Sequence, residues 1–126
     1  MKKDCIFCNP DREKVLQSKL CYAIFDKYPV SNGHLLIIPH RHEGDYFKLK
    51  KEEKQALWQM VEEAKTYLDK NFQPDGYNVG FNLHKAAGQT IFHVHIHVIP
   101  RYEGDMENPE GGVRHVVEGK GRYKLI

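Results

Sequence analysis

The stretch IFHVHIHVIPR, residues 91–101, alternates three histidines, His93, His95 and His97, with Val94, Ile96 and Val98. A period of two belongs to a β-strand, whose successive side chains point to opposite faces, and not to the 3.6-residue period of a helix. The stretch therefore predicts a strand over 91–100. Phe92, Val94, Ile96 and Val98 fall on a core face, and Ile91 and the three histidines on the other. Threonine, lysine and glutamate are commoner on a solvated strand face, so a row of three imidazoles points to chemistry. From the residues alone two kinds stay open: metal ligation, or nucleophilic and acid–base work by imidazole.

The surrounding chain supplies the rest of a sheet. LCYAIF (20–25) and HLLIIP (34–39) read as strands on either side of KYPVSNG (27–33), whose Pro29 and Asn32-Gly33 mark a turn. Between about Lys50 and Phe72 the apolar period changes. Leu57, Met60, Val61, Ala64, Tyr67 and Leu68 recur at three- and four-residue spacing, which predicts an amphipathic helix. Glu52 and Glu53 suit its first turn, and Pro74-Asp75-Gly76 ends it. YNVGFNL (77–83) reads as another strand, and KAAGQT (85–90) links it to the histidine strand. The tail, 102–126, reads as a short hairpin or as an extension wrapping the body. The expectation is one α+β domain, 1–126: a mostly antiparallel sheet with one long helix on a face.

Composition narrows the class. A hydrophobic content of 40% and a charged content of 29% are those of a folded globular chain, which excludes disorder. A net charge of +2 gives no footprint for nucleic acid or a membrane surface. With no signal-like or membrane-spanning apolar run, a cytoplasmic protein is the expectation. The cysteines are Cys5, Cys8 and Cys21, an odd number that suits thiols or metal ligands better than a disulfide framework. Cys21, inside an apolar strand, reads as a buried thiol.

Geometry limits the metal reading of the triad. Three consecutive same-face positions extend over about 13 Å at the usual strand rise. Zinc–nitrogen bonds are only about 2 Å, so one ion cannot readily take all three histidines from a regular strand. Cys5 and Cys8 form a C-x-x-C with the spacing of two zinc thiolates. A closed four-ligand site then needs two histidines, with His40, His42 and the triad as candidates. Two small buried residues remain the alternative for the cysteines.

Taken together, His93-Val-His95-Ile-His97-Val-Ile resembles the signature of the histidine triad (HIT) family. Phe25 and Asp26, the run from Gly33 and His34 to Pro39, then Asn82 and Gly88-Gln89-Thr90 resemble the family in the same order. The resemblance covers about residues 5–103. It is most similar to the bacterial zinc-containing, diadenosine-polyphosphate-hydrolase-like branch. It implies a nucleotide-binding hydrolase or nucleotidyltransferase that cleaves adenylated or dinucleoside polyphosphate substrates at the α-phosphate through a nucleotidyl-histidine intermediate. A nucleoside phosphoramidase, or a binding module with little turnover, remains open. The resemblance also implies a homodimer whose two sheets join.

By the same resemblance His95 is the nucleophile, a role suited to a neutral imidazole with one lone pair and one N–H. His97, His34, Gln89 and Thr90 complete the catalytic set. Asp26 accepts from the ribose, and Asn82, Gln89, Thr90, His95 and His97 contact the nucleotide. A structural zinc is implied on Cys5, Cys8, His42 and His93, with His40 as the rival to His42 and the one expected to be exposed. Phe7, Phe25 and Ile24 serve either the base pocket or the core. Arg114, in the tail, either meets a distal phosphate or is solvated.

Overall fold

The computed structural model describes residues 2–123; Met1 and 124–126, the last part of the expected tail, lie outside the described residues. Five strands form one antiparallel sheet: β1 (Leu16–Gln17), β2 (Cys21–Phe25), β3 (Leu35–Pro39), β4 (Gly76–Gly80) and β5 (Ile96–Arg101). Their order is β1-β2-β3-β5-β4. Among the described residues a single α-helix, α1 (Lys51–Asn71), crosses one face.

The helix buries the stripe Leu57, Met60, Ala64 and Leu68, a 3.6-residue repeat that packs on Cys21, Ala23, Leu35, Ile37, Ile96 and Val98. Val61 and Tyr67, expected in the same stripe, sit at its half-buried margins. Glu53 holds the helix start. Its carboxylate accepts from the Lys50 N–H at 2.8 Å and pairs with Arg41 at 2.9 Å, which ties α1 to the loop carrying His42. In the turn between β2 and β3, Gly33 has φ +92°, and a Cβ there would lie 3.0 Å from Leu68, so the turn needs glycine on both counts.

The opposite face is covered too. Tyr22, Ile24, Leu36 and Ile38 pack under Phe7 of the N-terminal segment, whose carbonyl accepts from the Tyr22 hydroxyl. Double coverage explains why β2 and β3 are continuous apolar runs rather than alternating ones. On the same face, beyond β3, lie His97 and Ile99 of β5 and Asn78 and Gly80 of β4. The registers Leu36↔His97, Gly80↔His97 and Asn78↔Ile99 place these residues together.

Several expectations change. The strand expected over 77–83 ends at Gly80, and β1 carries no two-residue signal strong enough to read. The histidine strand begins only at Ile96, because β3 pairs with β5 no further back than Ile37↔Ile96. Upstream, other partners replace the ladder: Val94 N–H donates to the Glu43 carbonyl at 2.7 Å, and the His93 carbonyl accepts from the His95 ring. Freed from the pleat, Phe92 is 58% exposed instead of lying on the core face. The tail forms no hairpin among the described residues. It folds a short 3₁₀ turn, Gly112–Val116, back beside β4 and β5.

Candidate active site

Two clusters are built around the histidine stretch. The first joins residues far apart in the chain. Cys5 Sγ lies 3.5 Å from His93 Nδ1, Cys8 Sγ 3.6 Å from the same nitrogen, and Cys8 Sγ 3.3 Å from His42 Nδ1. All four donor atoms fall within 4.8 Å of one another. Zinc–sulfur and zinc–nitrogen bonds of about 2.3 and 2.0–2.1 Å at tetrahedral angles give a sulfur–nitrogen edge of about 3.6 Å, so this donor set fits a closed tetrahedral site. His93 is fully buried, and its Nε2–H donates to the Pro39 carbonyl at 2.7 Å. That bond leaves the Nδ1 lone pair facing the sulfurs, as a ligand requires. His40 stands apart and is half-buried, not exposed: it stacks on Tyr22 and reaches the Ser18 carbonyl.

The second cluster lines a cleft of about 340 Å³ between the N-terminal segment and the sheet. Ile6, Phe7 and Leu36 supply apolar walls; Asp26, Asn82 and Thr90 supply polar groups; His34, His95 and His97 reach in. Each imidazole has a defined tautomer. Val30 N–H donates to His34 Nδ1 at 3.1 Å, so the proton of neutral His34 is on Nε2. That Nε2–H donates to His97 Nδ1 at 2.9 Å, which leaves His97 with its proton on Nε2. His95 Nδ1–H donates to the His93 carbonyl at 2.8 Å, so its Nε2 keeps a lone pair. The Phe7 ring packs edge-on against the His95 ring, with centroids 5.0 Å apart.

Burial disfavours charge on all of these rings. It pushes His34, His93 and His95 down from the ordinary imidazole value and takes His97 to about 4, where neighbouring His95 and His34 add to the effect and Asp26 opposes it. Asp26, His34 and His97 also lie close enough to suggest a cation site. The Val30 N–H argues against one, since a ligating His34 Nε2 would need Nδ1 to carry the proton, facing a donor.

Some expected residues stand elsewhere. Gln89 does not reach into the cleft: its side chain accepts from His84 N–H and donates to the Gly44 and Ile91 carbonyls, holding the 84–91 loop. Phe25 packs with Tyr67 and Phe72 in the helix-side core, and Ile24 is buried beneath Phe7. Arg114 donates to the Gly121 carbonyl, stacks on Tyr123 and does not line this cleft. Asp26 borders the cleft, with one oxygen accepting from Tyr28 N–H and the other 3.5 Å from His34 Nε2. The sequence reading missed Val30, which acts through its backbone, and Ile6 and Arg12, which border the cleft without a motif.

The sequence profile of the HIT domain matches residues 9–104. The chain belongs to the HIT family. Among its HIT relatives, the AP-4-A phosphorylase of Mycobacterium tuberculosis is 36% identical over 92 residues, 72% of this chain and 47% of that protein. The bis(5'-adenosyl)-triphosphatase of Dictyostelium discoideum is 37% identical over 91 residues, 72% of this chain and 61% of that protein. The chain thus spans about half to three-fifths of these two enzymes. A zinc-bound HIT protein of Mycobacterium smegmatis superposes with a TM-score of 0.74 at 30% identity, covering 83% of this chain and 80% of that one. The HIT fold expected from the sequence is the fold observed. Enzymes with nucleotide substrates occur among its relatives. No helix among the described residues is long and apolar enough to cross a membrane.

Proposed function

We propose that this HIT protein is a nucleotidyl hydrolase or transferase that cleaves adenylated substrates at the α-phosphate, with His95 as nucleophile. The observation that carries the reading is the free lone pair of His95 Nε2. It faces a nucleotide-sized cleft while Nδ1–H is held by the His93 carbonyl. In the first step Nε2 bonds to the α-phosphorus, and the bond to the leaving atom breaks with its electron pair. The imidazole becomes cationic, which strengthens its hydrogen bond to His93 O. His97 Nε2–H donates to a phosphate oxygen as charge builds there, with its tautomer held by His34. Water then attacks phosphorus, the N–P electron pair returns to Nε2, and the nucleoside monophosphate leaves. The net reaction consumes one water and releases the protonated leaving group.

Asp26 accepts from the ribose, and Asn82 and Thr90 contact phosphate oxygens at the cleft rim. Gln89 positions the loop that carries Thr90. Cys5, Cys8, His42 and His93 hold a structural zinc, which pins the Phe7 segment beside His95. Burial pushes the Cys8 thiol up, and a zinc ion at this site would hold it as the thiolate. The geometry of the donor set and the zinc of the mycobacterial relative support this assignment.

The test is to mix the protein with an adenylated substrate labelled at the α-phosphate and quench in base, where an N–P bond survives. Label retained on a peptide containing His95 is the expected result. Steady turnover with no labelled protein under single-turnover conditions would refute covalent catalysis. The pH dependence is a second test. The reacting rings work neutral and burial lowers their values, so kcat/KM should hold level as pH falls through 6.5 and drop nearer the value of about 4 for His97. Protonating His97 Nδ1 removes the acceptor for His34, so activity is lost on the acid side. An acid limb centred at 6.5 or above would contradict this.

A further inference from the structure

Asp26 enters the nucleotide cleft with one oxygen unspent. Its Oδ1 accepts from Tyr28 N–H at 2.8 Å, and its own N–H donates to the His34 carbonyl at 2.9 Å, so the residue is fixed beside the start of β3. Its Oδ2 lies 3.5 Å from His34 Nε2 and 4.0 Å from His97 Nδ1, and it accepts no hydrogen bond among the described residues. The two other cationic side chains of the cleft do not neutralise it. Arg12 pairs with Asp11 and donates to the Phe25 carbonyl, and Lys27 lies 3.6 Å from Asp11.

This placement gives one proton two acceptors. Neutral His34 has a single ring N–H, on Nε2, because Nδ1 is taken by Val30 N–H. His34 is buried, so that N–H has no water to turn to. Its choices are His97 Nδ1 at 2.9 Å and the Asp26 carboxylate at 3.5 Å. A carboxylate is the stronger acceptor, and only distance keeps the proton with His97. A small swing of Oδ2 toward His34 would leave His97 Nδ1 without a donor. The His97 proton is then free to move to Nδ1, nearer the carboxylate charge. His97 Nε2 would then turn a lone pair, and not an N–H, toward the phosphate. The ribose hydroxyls assigned to Asp26 are donors. Spending Oδ2 on them weakens the rival acceptor and leaves the His34 proton with His97.

We propose that Asp26 is a positioning residue for the reaction as well as a ribose contact: once a sugar hydroxyl occupies its carboxylate, the His34 proton is committed to His97. The sugar is then read in the rate of phosphorus transfer and not in affinity alone. Binding energy from a part of the substrate remote from the reacting bond is used to orient a reacting group. This inference rests on the nucleotidyl-transfer reading.

The substrate for the test is whichever of adenosine 5′-phosphoramidate, diadenosine triphosphate and adenosine 5′-phosphosulfate the wild type cleaves fastest. Wild type and Asp26→Asn are compared in single turnovers on that compound and on its 2′,3′-dideoxy analogue. Asparagine keeps the Tyr28 bond through its carbonyl, which puts its NH₂ where Oδ2 stood and offers His34 no acceptor. In wild type, loss of the hydroxyls should lower the maximal rate by roughly tenfold or more, toward the cost of losing one oxyanion donor, besides weakening binding. On the dideoxy compound Asp26→Asn should be faster than wild type by about threefold or more. A carboxylate that only binds the sugar, or only supports the fold, gives no such gain. Asp26→Ala removes the rival acceptor by another route and should show the same gain, which keeps the test valid if one variant is unstable. A readout without turnover is the ¹⁵N shift of the His97 ring. With adenosine monophosphate bound the proton should sit on Nε2, and with the dideoxy monophosphate a fraction should move to Nδ1. An identical tautomer in both complexes overturns the proposal. So does a wild-type maximal rate that changes less than about twofold with the sugar while binding alone weakens, and both results leave the nucleotidyl reading intact. A wild type that cleaves none of the three compounds overturns the parent reading and this one together.

Discussion

His95→Ala should abolish turnover, by about 10⁴–10⁶-fold in kcat, the scale on which removal of a covalent nucleophile is felt. Binding of the nucleoside monophosphate, followed by calorimetry, should change by no more than a few-fold, because the cleft walls at Ile6, Phe7 and Leu36 and the Asp26 carboxylate remain. The substitution removes the Phe7 edge contact and the bond to the His93 carbonyl, yet neither lies in the helix-side core. A stable fold is therefore expected, and the melting temperature checks it. Retention of more than about a hundredth of wild-type kcat would transfer the nucleophile's role elsewhere. Loss of binding in parallel with turnover would make His95 a binding residue, in line with a module of little turnover.

Removing the metal should have the second large effect. Purified protein is expected to contain one zinc per chain, and Cys5→Ala or Cys8→Ala to contain none. A structural zinc carries folding free energy outright, so its loss should cost at least about 3 kcal/mol and lower Tm by roughly 10 °C. The damage should extend to catalysis. Cys5 and Cys8 flank Phe7, whose ring lies against His95 and lines the nucleotide cleft. Zinc-free protein should therefore show a raised KM for nucleotide alongside the lower Tm, and both should recover on adding zinc. A zinc content near zero in wild type, or a Tm unmoved by chelator, would rule out the assignment.

Much of the site was legible because its signals are local. Period-two histidines mark a strand face, the 3.6 period marks α1, and C-x-x-C marks a pair of thiols. The order of matching segments carried the HIT resemblance and with it the candidates in the cleft. What failed also has local causes. The strand was extended back to Ile91 because alternation continues there, although the pairing partner ends. Gln89 was read as reaching the substrate because it precedes the triad, whereas two backbone groups of its own loop and the Gly44 carbonyl take up its amide. Phe25 was left open between base pocket and core, and strand alternation sends it to the helix-side core.

By itself the sequence determined α1 and four of the five strands, the buried stripe of the helix and the presence of three imidazoles with two thiols. These follow from side-chain period and residue chemistry, which act over a few positions. The resemblance gave the three histidines different roles, but only the tertiary structure gave each its partners. It turned His93 toward Cys5, 88 residues away, and left His95 with a free nitrogen. It also aligned His97 through a Val30 N–H and His34. Those choices are made by hydrogen bonds between distant segments, and by where β3 stops pairing.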